Sequence, residues 1–255
     1  WRVCYAALTH PFFFFLCLLV DRCDSVVTND RATRQGILEA FEGHLIEQAQ
    51  PDDVVVFHYS GHGSLVADPD PIVQNPNGMG VNGTFVPVDS ALPTGFPLEG
   101  GTVSDIMGHT LFLLMSAVKS EKFTAVLDCC HAGAGTRDYQ VRSRSGGRKL
   151  EIAPEEKAYQ EQWLSRLDWT QEAFIDRYRA SIAKGVILAG AQPNQYAADA
   201  RIGDFYAGIF TYLLAQYLWQ QDATPESAIA HILAQIPKAY LDFRLDSGVV
   251  RRVNQ

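Results

Sequence analysis

Three continuous apolar runs, each closed by a small or polar cluster, limit the folds open to this chain. They are "DDVVVFHYS" at 52–60, "KFTAVLDCC" at 122–130 and "KGVILAGA" at 184–191. Their apolar residues fall on consecutive positions, without the polar–apolar alternation of a strand that faces water on one side. That pattern predicts strands buried on both faces, as in a parallel sheet covered by helices. Helical periodicity separates the runs. Residues 32–49 space Ile37, Phe41, Leu45 and Ile46 along one helix face. Residues 104–118 read as a helix with Ser104 as N-cap, and further helices are predicted over 154–167 and 170–183. "FYAGIFTYLLAQYLW" reads as a strongly apolar helix, and Thr224-Pro225-Glu226 as the start of a last one. Between the first two buried runs, residues 64–83 read as a long loop and "TFVPVDS" as a short strand. Strands alternating with helices predict a three-layer α/β fold around a mostly parallel sheet.

Length and composition agree with one such domain: 255 residues, 47% of them hydrophobic, can bury a substantial core. A formal net charge of −8 argues against a nucleic-acid-binding surface. The five cysteines form no CxxC pair, so neither a disulfide framework nor a cysteine zinc site is expected, and a reducing cytoplasm is the expected compartment. Near the start, "THPFFFFLCLLVDR" carries an apolar core too short to cross a bilayer and lacks a basic leader. It is read as a buried strand, and no membrane association is expected.

In sheets of this kind, active residues gather where the carboxyl ends of strands meet the loops. The first run leads into "SGHG" and the second into "CCHAG", so His62 and the Cys129-Cys130 pair are expected at one edge of one sheet. Side chains alternate along a strand, which puts Asp128 and Cys130 on one face and Cys129 and His131 on the other. His131 therefore points away from Cys130, and the glycine-flanked His62 is the better acid–base partner for a Cys130 thiolate. His58 and His62 have the i, i+4 spacing of a helical zinc site. In a strand, however, they would lie roughly 13 Å apart, and no metal is expected there.

"HYSGHG" followed about seventy residues later by "DCCHAG" resembles the caspase-like cysteine peptidases, in particular the metacaspases and the bacterial orthocaspases. "GVILAGAQPNQYAAD" and "AGIFTYLL" resemble the small-subunit region of the same family. The resemblance implies a cysteine endopeptidase with a His62–Cys130 dyad. Cys130 would attack the scissile carbonyl, His62 would protonate the leaving amine, and the N–H groups of Gly63 and Cys130 would hold the oxyanion. It also implies polypeptide substrates with Arg or Lys at P1, held by an acidic pocket in which Asp128 and Ser60 match lining positions. The family's first strand and an acidic pocket residue after it should lie near the N-terminus. "WRVCYAALTHPFFFFLCLLVDRCD" departs from that pattern, with Asp24 as a stand-in for the acid.

Calcium-dependent metacaspases use clustered aspartates. Asp89 and Asp105 match two of them, but Ser104 and Arg137 stand where two more would be expected. Calcium independence, with no cofactor, is therefore expected. The basic segment "TRDYQVRSRSGGRK" would separate a dyad-bearing part (1–135) from a small-subunit-like part (154–255), with 136–153 as linker. Arg142, Arg144, Arg148 and Lys149 are its candidate self-cleavage sites. A monomer is expected. The alternative reading is a caspase-fold scaffold or regulatory module that does not cut.

Overall fold

The computed structural model describes residues 25–68, 71–72, 80–96, 98–129, 150–180 and 183–190. It also describes the backbone of Arg2–Ala7, Asp199–Ile202, Phe205–Gly208 and Arg251–Arg252, together with Phe210, Thr211 and Leu214. The first two runs each become one strand of a six-stranded sheet: β3 is Val55–Ser60 and β8 is Phe123–Asp128. They lie side by side in parallel, Val55 opposite Phe123 through to Ser60 opposite Asp128. The third run gives β10 (Val186–Ala189), parallel to β8 on its other side. β1 (Arg2–Ala7) and β2 (Ser25–Thr28) extend the parallel set beyond β3, and β13 (Arg251–Arg252) pairs antiparallel with β10. The N-terminal strand of the sheet is thus Arg2–Ala7. The apolar stretch read as a buried strand, 11–20, lies outside the described residues, as do Asp24 and residues 215–250.

The two faces of this sheet are chemically different. Val55, Phe57 and Tyr59 of β3 and Phe123, Ala125 and Leu127 of β8 share one face and are buried in the main core. Over them pack α1 (Arg34–Ala40), its continuation Phe41–Glu47 and α2 (Gly108–Ala117). The predicted spacing holds, since Ile37, Phe41 and Leu45 are buried and Phe41 meets Phe57 with ring centroids 5.1 Å apart. Thr33 caps α1 by accepting from the Gly36 N–H at 3.0 Å. The second half of that helix winds as a π-helix, which helical periodicity did not foretell. On the opposite face, His58 and Asp128 are buried and meet Thr211, and Phe210 and Leu214 are buried as well. Helical structure therefore covers both faces, as a three-layer α/β fold requires.

Five segments differ from expectation. Residues 64–83 are not one loop, because β4 (Gly63–Ala67) and β5 (Val81–Phe85) pair antiparallel in a second, five-stranded sheet. β6 (Gly101–Val103), β7 (Ile106–Met107) and β9 (Leu150–Ile152) complete it. The strand within "TFVPVDS" stops at Phe85, where the pairing with β4 ends. The helix expected from Ser104 starts instead at Gly108, because Ile106 and Met107 pair with β5. β9 falls inside the segment read as linker, and Phe205–Gly208, read as helical, is β12 in a hairpin with β11 (Asp199–Ile202). In these segments pairing with another strand, near or distant in sequence, overrides local propensity.

α3 (Pro154–Arg166) and α4 (Gln171–Ala180) form as predicted, with Pro154 in the first turn of α3. Glu156, fully buried, ties this region to the rest. Its carboxylate accepts from the Met107 N–H at 2.7 Å, from the Thr110 hydroxyl, and from Arg34 Nη2 at 2.5 Å. One turn on, Tyr159 donates to Glu42 at 2.5 Å, and Arg166 pairs with the same carboxylate at 2.8 Å. A buried carboxylate is tolerable only when its acceptor sites are filled. Glu156→Ala, which strands the Arg34 guanidinium, is expected to lower unfolding free energy by about 3–5 kcal/mol in urea titrations. The apolar pair Arg34→Met with Glu156→Leu should recover most of that loss, and failure to do so would show that the charges themselves hold the helices in place.

Candidate active site

β3 and β8 end together. Ser60 and Asp128 are in register as the last residues of the two strands, and the Gly61 N–H donates to the Asp128 carbonyl at 3.1 Å. His62 follows on a two-residue link into β4, with its side chain exposed. Its carbonyl accepts from the Val86 N–H at 3.0 Å and from the Tyr59 hydroxyl at 2.9 Å. Because Val86 bonds to His62, Gly63 and Phe85 form a non-hydrogen-bonded pair of the antiparallel β4–β5 ladder. The Gly63 N–H therefore points away from β5.

The alternation argument for the adjacent cysteines fits what is described. Cys129 continues the Phe123–Ala125–Leu127 side of β8 and is buried in the main core at 1% exposure. Asp128 lies on the opposite face. Cys130 and His131 lie outside the described residues, as do Arg137, Arg142, Arg144, Arg148 and Lys149. His58 sits mid-strand and buried, while His62 is exposed on the link.

Asp128 is 4% exposed, and its Oδ2 accepts from the Thr211 N–H at 2.8 Å. Gly190 makes room for this arrangement. A Cβ there would come within 3.1 Å of Asp128 Oδ1 and 3.0 Å of the Phe210 Cβ. Ser60 lies on the same face and is half-buried. Sequence reasoning missed Thr211, which also meets His58 Nε2 at 3.1 Å through its hydroxyl. Nothing in a sequence places residue 211 against residues 58 and 128.

The aspartates aligned with calcium ligands have other partners. Asp105 is buried, and its two oxygens accept from Thr84 Oγ1 at 2.5 Å and Ser90 Oγ at 2.6 Å. Burial outweighs these hydroxyls and raises its pKa. Asp89 accepts from the Arg34 N–H at 2.8 Å, which fixes the start of α1. Among the described residues no group of three His, Cys, Asp or Glu side chains could hold a metal ion. A cavity of about 670 Å³ opens at the far end of β4, lined by Asp68, His109 and Glu161 among others, a strand's length away from His62. Among the described residues no helix is long and apolar enough to cross a membrane.

Two co-terminal parallel strands, one followed by a glycine-flanked histidine and the other ending on Asp128 just before buried Cys129, define a caspase-like α/β unit. The chain belongs to the caspase domain family, whose model matches residues 7–239. It is 29% identical over 223 residues to metacaspase-1 of Pyricularia oryzae, an alignment covering 79% of this chain and 52% of that protein. It is 25% identical over 209 residues to metacaspase-1 of Candida albicans, covering 71% of this chain and 44% of that one. Metacaspase-2 of Trypanosoma brucei brucei is 31% identical over 117 residues, 46% of this chain and 30% of that one. The chain thus spans about half the length of the first two relatives and less of the third. A crystal structure of a Geobacter sulfurreducens protein shares the fold, with a TM-score of 0.55 at 15% identity over 92% of this chain and 88% of that one.

Desolvation lowers the pKa of buried His58 to about 3, and that of His109 likewise. Both stay neutral in the folded state, while the unfolded chain binds their protons below about pH 6.5. Stability is therefore fully present above that pH and falls as pH drops from 6.5 toward 5. Urea midpoints across this window should decline, and His58→Gln should flatten the decline. An unchanged midpoint in the wild type would contradict the burial of both rings.

Proposed function

We propose that this chain is a cysteine endopeptidase that cleaves polypeptides after Arg or Lys, with Cys130 as nucleophile and His62 as its acid–base partner. The register of β3 against β8 carries the reading. Neighbouring parallel strands lie about 4.8 Å apart, and His62 and Cys130 each follow two residues after the Ser60–Asp128 pair. The thiolate attacks the scissile carbonyl. His62 then gives its proton to the leaving amine, and water hydrolyses the acyl-enzyme. The Gly63 N–H, turned away from β5, is suited to hold the oxyanion together with the Cys130 N–H. Asp128 and Ser60, which share one face of the sheet at the ends of their strands, supply the recognition of a basic P1 residue. The catalytic unit is proposed to act as a monomer, since β13 covers the β10 edge of the main sheet.

A fluorogenic panel with Arg, Lys or Asp at P1 tests the proposal. Cleavage after Arg and Lys is expected, unaffected by chelator because Asp105 and Asp89 serve other partners. Cys130→Ala should abolish it, and His62→Ala should lower kcat/KM by about 10²–10⁴-fold. The burial of Asp128 and its bond to Thr211 favour a second reading, a caspase-fold scaffold in which that acid is purely structural. Folded protein that cleaves none of the panel would select the scaffold, and preference for Asp would refute the pocket assignment.

Self-processing is proposed in the basic segment, at Arg142 or Arg144 in preference to Arg148 or Lys149. Peptidases bind several residues on each side of the scissile bond in extended form. Residues 150–152 are held in β9 between β4 and β6, with Leu150 and Ile152 buried. A cut at Lys149 would require that strand to leave its sheet. Intact-mass time courses should therefore show fragments ending at Arg142 or Arg144 in the wild type and none in Cys130→Ala. Identical fragmentation in both would end the idea.

A further inference from the structure

We propose that Tyr59 is a positioning residue for His62, acting through the backbone of the link that carries the imidazole; this rests on the reading of His62 as the catalytic base. Tyr59 faces the core at 1% exposure, its ring packed on Phe85 with centroids 4.6 Å apart, so it lies on the sheet face away from Asp128. Its hydroxyl reaches the His62 carbonyl at 2.9 Å and the Val86 carbonyl at 3.1 Å. A phenol has one proton to donate, so the two carbonyls share it. The hydroxyl thereby joins the end of β3 to the segment leaving β5.

The need for such a brace follows from the local sequence. Gly61 and Gly63 flank His62, and glycine constrains backbone dihedrals least of all residues. Three hydrogen bonds compensate: Gly61 N–H to the Asp128 carbonyl, Val86 N–H to the His62 carbonyl, and the Tyr59 hydroxyl to that same His62 carbonyl. Two are main-chain bonds that any sequence would make, and only the third depends on a side chain. Burial pushes the Tyr59 pKa well above its ordinary value, which keeps the hydroxyl a donor throughout the working pH range. Without it the imidazole is tethered by backbone alone, and misplacement by about 1 Å can cost roughly 10²-fold in rate.

Tyr59→Phe keeps the ring and removes only the donor, and Tyr59→Leu removes it in a second context. Two readouts are taken on the full chain: kcat and KM on an Arg substrate, and the pH dependence of iodoacetamide alkylation at Cys130, resolved from Cys129 by fragment mass. If the dyad reading holds, His62 assists thiolate formation at Cys130 and alkylation there depends on that imidazole. Tyr59→Phe is expected to lower kcat by roughly 10- to 100-fold with KM unchanged. It should also slow Cys130 alkylation at pH 6, moving it part of the way toward the His62→Ala profile, with Tyr59→Leu following.

The proposal is overturned if alkylation in the Tyr59 variants matches wild type while His62→Ala shifts it. It is equally overturned if kcat falls without any change in the thiol profile, or if neither variant folds, because Tyr59 then serves the core alone. If His62→Ala itself leaves the thiol profile and the activity unchanged, the dyad reading fails and the positioning role falls with it. That outcome is distinguishable from a Tyr59 variant that behaves as wild type beside an impaired His62→Ala.

Discussion

The pairing of β3 with β8 is the constraint on which the rest depends. Six consecutive residue pairs lock the two strands in parallel from Val55–Phe123 to Ser60–Asp128. Because side chains alternate, this single register sorts the residues of both strands in one step. Val55, Phe57, Tyr59, Phe123, Ala125, Leu127 and Cys129 go to the helix-packed core, and His58, Ser60 and Asp128 go to the face beside Thr211. A slip of one residue in β3 would turn Ser60 toward the phenylalanines and carry Val55, Phe57 and Tyr59 to the face beside Thr211. Apolar packing therefore sets the register, and the placement of polar groups follows from it.

Around this pair, the chain repeatedly uses polar side chains to join segments distant in sequence. Glu156 gathers donors from α1, from the first turn of α2 and from the strand before it. Asp105 joins Thr84 of β5 to Ser90 of the following loop. Tyr59 bridges the links that follow β3 and β5. In each case the buried polar group has its hydrogen-bonding capacity engaged, which is the condition for tolerating it in a low-dielectric interior. The position of His62 thus depends on the satisfied core beneath it as well as on its own neighbours.

The buried strands and the main helices were legible because their signals are local. Continuous β-branched and apolar runs, the Ile37–Phe41–Leu45 stripe and Pro154 at the start of α3 all state their structure within a few residues. The second sheet was not legible. Gly63–Ala67 and Val81–Phe85 lack a strong strand pattern and become strands through each other, with Leu150–Ile152 beside the first and Ile106–Met107 beside the second. Arg2–Ala7 was passed over for the more apolar stretch after it, although it occupies an interior position in the main sheet. Phe205–Gly208 looked helical by hydropathy, yet pairs with Asp199–Ile202. Strand formation is a pairwise property, so one segment read alone underdetermines it.

Taken by itself, the sequence determined the fold class, the order of the main elements, and that His62 follows a strand end. Those follow from hydrophobic periodicity and strand alternation, which short-range sterics and the exclusion of apolar groups from water impose locally. Only the tertiary structure decided that Asp128 meets Thr211, that Asp105 and Asp89 have protein partners, and that the His62 carbonyl rests on Tyr59 and Val86. Hydrogen bonds have a range of about 3 Å and strict angular demands. Which groups come within that range is settled by how whole elements pack, a property that no single stretch of chain carries.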